Sequence, residues 1–415
     1  MSRRPYALFI NPSWLGHIPP YMGLIWLFFF QRGWRIHNLV DNPEEAARFC
    51  AAQFGDEAAL VSHSGFPPPP GHSNGMGEIQ LKERQWAALG QAVEQIRRKQ
   101  GEPKLVFHAW ADLWTNIFLH SRCVRRALPL PWMGICLHPV ELRVRKSLKR
   151  RLWEMIPNLC RHGLPTESRL RALRVPQLKE LLLLDENVLG AARRFFPASK
   201  ISSFPDPADT AIDDSFQCPA LERLRAEGRP IIAVVGVLQR RKGFLRLMEA
   251  ARAAPGNWGF LSAGQTAWDN LSERDKEALR HFMDDPPPNT ALHLEFLKRE
   301  SQLNTLISRS DLLYLAYEDF FHSSNIQVKA ASYRKLSLAG PMHLISERTV
   351  EYDLGWTLKD FSPATLIEFL ARTDRTALEE KARAARFSDF TWLHSIARMN
   401  EVLAEVVDSA SIPRQ

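Results

Sequence analysis

Three consecutive cations, Arg240, Arg241 and Lys242, stand between two glycines in IIAVVGVLQRRKG at 231–243. A short apolar run ending in Gly236 reads as a buried strand that delivers the backbone to a turn, with a helix starting after Gly243. Fixed positive charge at such a junction suits a diphosphate, because cationic side chains and the first N–H groups of a helix both attract phosphate oxygens. The same residues also read as a solvated basic loop. A second cluster, His322-Ser323-Ser324-Asn325, precedes another helical segment. Its hydroxyls and amides can meet a phosphate or simply cap the helix. A third feature, Gly16-His17, lies in the turn behind the first apolar run. An imidazole titrates near neutrality and can take a proton from a hydroxyl, although a lone loop histidine also serves structure.

These residues need elements to position them. YALFI at 6–10 reads as a strand, 20–32 as a helix stopped by Gly33, and WRIHNLV at 34–40 as the next strand. That opening is βαβ and points to a parallel α/β sheet. SGFPPPPGHSNGMGE at 64–78 is a Pro- and Gly-rich loop. The pattern continues with a helix over 79–100, a strand over 104–110, a helix over 112–127 and a strand over 132–138. The stretch 141–184 reads as basic and helical, and KISSFPDPAD at 200–209 as a strand running into a linker. The alternation then restarts, with strands expected at 230–236, 259–264, 291–297, 311–317 and 337–346. Helices are expected at 243–253, 272–283, 299–309, 323–335, 363–372 and 376–386, and 390–407 reads as a final amphipathic helix. The expected organisation is a doubly wound domain over 1–205, a second over 206–388, and a C-terminal helix over 389–415 that crosses back to the first. In such folds ligands bind outside the carboxyl ends of the strands.

Composition narrows the function classes. At 415 residues, with 45% hydrophobic and 24% charged residues, the chain can bury two cores without disulfides or metals. Five scattered cysteines without a CxxC pair argue against a disulfide framework or zinc site and for a reducing, cytoplasmic compartment. The most apolar stretch, GLIWLFFF at 23–30, is too short to span a bilayer. The net charge of +8 suggests an anionic partner. RVRKSLKRR at 143–151, followed by Leu152-Trp153, reads either as a solvated helix or as peripheral contact with an anionic membrane. Nucleic acid is not expected, since no module interleaves aromatic and basic residues. DxD, Walker A and HExxH patterns do not occur.

GHIPPYMGLIWLFFFQRGWRI at 16–36 resembles the opening of GT-B glycosyltransferases. VVGVLQRRKGF, LEFLKRESQLNTLISRSDLLYLAY and HSSNIQVKAASYRKLSLAG resemble, in order and spacing, the donor domain of glycosyltransferase family 4. The resemblance implies a GT-B fold, with an N-terminal acceptor-binding and a C-terminal nucleotide-sugar-binding domain facing a central cleft. It also implies metal-independent transfer of a sugar from a nucleotide sugar, UDP or GDP type open, to an acceptor hydroxyl. It assigns the donor phosphates to Arg240, Arg241, Lys242, Ser323, Ser324 and Asn325. In the GT-B enzymes that invert, a histidine at the place of His17 is the base, oriented from a later strand; His108, with Asp112, occupies that later position. Gly16, His108, Asp112, Gly236 and His322 are expected to line the cleft. The chain departs from family 4 at Val237, where an arginine is usual, and at Phe321 and Lys329, where two glutamates are usual. Glu318, three residues before the first of these, stands beside His17 as a catalytic candidate. The first half resembles inverting enzymes and the second a mostly retaining family, so the stereochemistry is open. The missing glutamates leave a second reading: a degenerate GT-B protein that binds a ligand or partner without turnover.

Overall fold

A computed structural model describes residues 4–14, 18–67, 77–137, 140–143, 169–197, 200–253 and 257–411. Gly16, His17 and the stretch 144–153 lie outside the described residues. The chain divides into two compact units, Met1–Pro205 with Ile396–Gln415, and Asp206–Ser395.

Among the described residues of the first unit, seven strands form a parallel sheet in the order β3-β2-β1-β4-β5-β6-β7. They are β1 Tyr6–Asn11, β2 Arg35–Val40, β3 Val61–Gly65, β4 Leu105–His108, β5 Trp132–Cys136, β6 Leu178–Leu183 and β7 Ile201–Ser203. β1 reads as one apolar run because helices cover both of its faces. Ala7 and Phe9 pack toward the charge-free helix α1, Ile18–Gln31, while Leu8 and Ile10 pack toward α3, Glu78–Gln100. The helix Ile396–Ser411 belongs to this unit. Its Met399, Val402, Leu403 and Val406 recur at helical spacing and enter the same core as α1. The sheet reverses its winding between β1 and β4.

Two expectations fail in this unit. Residues 109–120 are turns, and only α4, Ser121–Ala127, is helical in the segment read as 112–127. The segment after 169 is a short 3-10 turn, Arg169–Leu173, followed by β6, not a helix. LKELLLL carries the residue with nearly the highest helix propensity, yet Leu178 and Leu181–Leu183 are fully buried in an inner strand. Tertiary burial overrides the local preference.

β6 also buries Glu180, which accepts a hydrogen bond from Ser202 on β7. Burial pushes this carboxyl up to about 7, against the Ser202 hydrogen bond and with Glu405 of the terminal helix adding to the rise. A carboxyl raised in the folded state is stabilising in its protonated form, so stability falls as pH rises from about 4.5 through 7. Glu180→Gln is therefore expected to raise the melting temperature at pH 8, by about 1–3 kcal/mol of stability, and to change little at pH 4.5. Equal shifts at the two pH values in calorimetry would contradict this assignment.

In the second unit, six parallel strands are described in the order β10-β9-β8-β11-β12-β13. They are β8 Ile231–Val235, β9 Gly259–Ala263, β10 Thr290–His293, β11 Leu312–Leu315, β12 Leu336–Ala339 and β13 Gly355–Thr357. This sheet reverses between β8 and β11. SLAGPMHLIS at 337–346, read as one strand with its turn, is β12 followed by a helix, His343–Glu351, that begins after Pro341. The final segment is broken: Phe387–Leu393 ends in the second unit and Ile396–Ser411 lies in the first. Among the described residues no helix is long and apolar enough to cross a membrane.

Candidate binding site at the switch point of the second sheet

Strands β8 and β11 pair only at Ile232–Leu312 and Ala233–Leu313. The chain leaving β8 runs beside the chain leaving β9 at Leu238 and Thr266, and the chain leaving β11 meets it where Glu318 N–H donates to the Arg241 carbonyl. After β8, Gly236 takes φ +82°, which an L side chain rarely adopts. A Cβ on Gly264, at the end of β9, would stand 2.3 Å from the Gly236 carbonyl oxygen. Glycine at both positions lets the two backbones touch and frees the turn that carries the cations. Arg240–Lys242 is a single 3-10 turn closed by Gly243 in the left-handed conformation. Three residues per turn aim successive side chains about 120° apart. The three cations therefore cannot converge.

Arg240 points away. It is 66% exposed and pairs with Asp275 at 3.4 Å, on the helix Glu273–Asp284. Arg241 and Lys242 turn toward the end of β11. The Arg241 guanidinium lies 4.8 Å from the Phe320 ring centre and is held by Gln239 Oε1 at 2.8 Å. The Lys242 ammonium lies 5.6 Å from the Tyr317 ring centre and donates to the Val235 carbonyl at 3.0 Å. Gly236 gives it room, since a Cβ there would be 3.1 Å from Nζ. His322 joins the cluster by packing edge-on to Phe320 at 5.3 Å.

Neither Arg241 nor Lys242 has a carboxylate partner among the described residues. The two nearby acids are taken, Asp275 by Arg240 and Glu318 by Arg246. Arg241 Nη1 is buried without a hydrogen-bond acceptor. Burial, with Arg241 beside it, pulls the Lys242 ammonium down to about 7. Two adjacent cations held against aromatic faces without an anion are costly in isolation. A polyanion would relieve both.

Glu318 sits at the edge of this cluster. Its backbone N–H donates to the Arg241 carbonyl at 2.8 Å, and its carboxylate pairs with Arg246. Arg246 is anchored in turn on the carbonyls of Phe361 (3.0 Å) and Ala316 (3.2 Å). The pairing fixes the carboxylate as a positioned hydrogen-bond acceptor.

The distal cluster separates into parts. Asn325 spends its side-chain amide on Asp206 Oδ1 (3.3 Å) and the Pro207 carbonyl (3.1 Å), tying the linker to the helix Asn325–Ser332. It therefore acts as a structural clasp, and its amide does not serve the phosphate role expected of it. Ser323 Oγ accepts from Nη1 of the fully buried Arg348 at 2.7 Å, which leaves its O–H to donate. Ser324 is buried at the N-cap without making a side-chain cap bond. The phosphate-facing potential of this turn rests on the two serines and the first N–H groups of the helix.

In the first unit, His108 ends β4 beside the switch point and is fully buried between Trp86 and Trp114, at 5.7 and 5.4 Å. Burial pushes its imidazole down to about 3, so it is neutral, and Nδ1 accepts from Trp110 N at 3.3 Å. Asp112 Oδ1 accepts from Leu137 N at 3.1 Å and is also buried. These two hydrogen bonds tie His108 and Asp112 to the chain around β4 and β5; His17, which the expected pairing would orient, lies outside the described residues.

Sequence reasoning missed Tyr317, Phe320, Arg246 and Arg348. Aromatic residues after a buried strand give no signal of which cation lies over them; only the strand register does that.

No family model matches the sequence, and no curated protein matches it. Solved structures do match in fold. HepE from Anabaena, in complex with UDP and glucose, superposes with a TM-score of 0.61 at 13% identity, covering 98% of this chain and 100% of that one. Sucrose-phosphate synthase from Thermosynechococcus elongatus gives 0.61 at 12% identity, covering 98% and 99%. A UDP-N-acetylglucosamine 2-epimerase gives 0.58 at 10% identity, covering 99% and 98%. The two parallel-sheet units and these likenesses establish the GT-B fold.

Proposed function

We propose that the chain is a glycosyltransferase that uses a nucleotide sugar, with the Asp206–Ser395 unit holding the donor and the first unit serving the acceptor. The observation that carries this reading is the uncompensated Arg241–Lys242 pair at the switch point of the second sheet. Cleavage of a donor's anomeric C–O bond leaves a nucleoside diphosphate whose negative charge must be stabilised as it develops. Arg241 and Lys242 supply fixed positive charge for that purpose, so the proposal invokes no metal. Ser323 and the Asn325–Ser332 helix N-terminus offer donors to the same anion. Glu318, braced by Arg246, is suited to accept from a sugar or ribose hydroxyl. His17 retains the part of base for the acceptor hydroxyl, and the acceptor itself is unassigned. HepE, crystallised with UDP and glucose, makes uridine donors the first to test.

The test is a panel of UDP- and GDP-sugars, with melting temperature and nucleoside diphosphate release both measured. One donor class is expected to raise the melting temperature and to release its diphosphate slowly to water. If a donor binds and only its sugar epimer accumulates, the transfer reading fails. If no donor or free diphosphate shifts the melting temperature, the donor site itself is refuted.

A further inference from the structure

The lysines of the second unit divide by their surroundings. Lys276, Lys329, Lys359 and Lys381 hold Glu273, Glu300, Glu368 and Asp353 at ion-pair distance. Lys298 is exposed. Lys335 and Lys242 are the two that burial draws below the ordinary lysine range, and Lys335 faces Asp311, which opposes the fall. For Lys242 the next influence has the other sign, because Arg241 stands beside it and disfavours a second positive charge. Desolvation next to another cation is one way a protein makes a lysine nucleophilic near neutral pH.

Lys242 is half-buried, so a small molecule can reach it. Its nitrogen donates to the Val235 carbonyl and lies over the Tyr317 ring. A neutral amine keeps that hydrogen bond and holds its lone pair free. Arg241, the next residue, offers a buried Nη1 without an acceptor, over the Phe320 ring. An anion acceptor and an amine nucleophile thus stand side by side between aromatic faces.

We propose that Lys242 is a covalent, reversible site for small phosphate-bearing aldehydes, held at two points: the phosphate on Arg241 and an imine at Lys242 Nζ. The Nζ lone pair forms the C–N bond, and the carbonyl oxygen leaves as water with the two protons of the amine. No electrons are exchanged. Tyr317 and Phe320 give a flat, conjugated imine faces to stack on. The adduct takes the place of the donor diphosphate and so competes with it. This inference rests on the anion-binding part of the reading above and is independent of sugar transfer.

The experiment treats the full chain near pH 7 with pyridoxal 5′-phosphate, or with pyridoxal lacking the phosphate, then reduces with borohydride and maps the labelled peptides. The phosphate form is expected to label Lys242 first and about tenfold faster than pyridoxal does, because only it gains a charge-assisted bond to Arg241. UDP should protect, since a diphosphate meets both cations and returns the proton to the amine. Lys242→Met should lose the label while keeping a cooperative melting transition. Labelling spread equally over Lys242, Lys298 and Lys335 overturns the proposal, as do equal rates at Lys242 with and without the phosphate. UDP that raises the melting temperature while Lys242 stays unlabelled overturns the imine and leaves the donor site standing. Phosphate-dependent labelling of Lys242 that UDP neither slows nor competes with supports the imine and refutes the donor site.

Discussion

Replacing Lys242 with methionine is expected to make the ligand-free protein more stable while abolishing its affinity for nucleoside diphosphates. The two signs come from one cause. In the absence of an anion the ammonium is desolvated beside Arg241 with only a carbonyl and an aromatic face for compensation. Methionine fills similar space without charge, so about 1–2 kcal/mol should be recovered, at about 2–4 °C of melting temperature for each. The sign follows the titration. Burial lowers the folded pKa from 10.5 to about 7, so the penalty is complete below 7 and disappears as pH rises to 10.5. The gain from methionine should shrink over the same interval. Differential scanning calorimetry at pH 7 and pH 10 measures it. A methionine variant less stable at pH 7 than the wild type would contradict this view of the site.

Lys329→Met is expected to do the reverse, destabilising the second unit by about 3 kcal/mol. Lys329 is fully buried, and its ammonium meets the Asp209 carbonyl (2.7 Å), Asn304 Oδ1 (2.7 Å) and Glu300 (2.9 Å). Asn304 in turn holds the carbonyls of Asp209 and Ala211. The lysine is thus the pin that fastens the segment after the linker to the unit. Removing it leaves the buried Asn304 amide oxygen and the Asp209 carbonyl without their donor, where removing Lys242 relieves a cation without an anion. Urea unfolding of the two variants side by side should show opposite shifts in midpoint. A Lys329→Met midpoint unchanged from the wild type would refute the pinning role. The family resemblance puts a glutamate here, and the structure explains the exchange: this side chain faces the linker segment, so the position is structural in this chain.

Much of the second unit was legible because its strands are short apolar runs buried on both faces and its helices alternate with them. IIAVV and DLLYLAY could be placed to within about two residues. β6 was not legible, since a leucine-rich inner strand has no alternation to betray it. The helix His343–Glu351 was hidden by Gly340-Pro341 and by His343, which enters it at φ +77°. The cations at 240–242 were visible as a motif, but their division was not. The 3-10 turn sends Arg240 to Asp275 and the other two to the aromatic wall, a division that depends on where the turn sits on the sheet. Asn325 looked like a phosphate ligand because its alternative partners, Asp206 and Pro207, lie more than a hundred residues away in sequence. Ion pairing between distant segments, as at Arg246–Glu318, leaves no periodicity to read.

The central claim is that Arg241 and Lys242 await a diphosphate. The most direct measurement is isothermal titration of UDP and GDP into wild type and Lys242→Met at pH 8, each in two buffers of different ionisation enthalpy. Binding to the wild type should take up close to one proton, because an anion restores the Lys242 charge, and affinity should fall by up to about tenfold per unit as pH rises above 7. The methionine variant should not bind measurably. A diphosphate that binds both proteins alike, with no proton uptake by the wild type, would show that the pair is not the phosphate site.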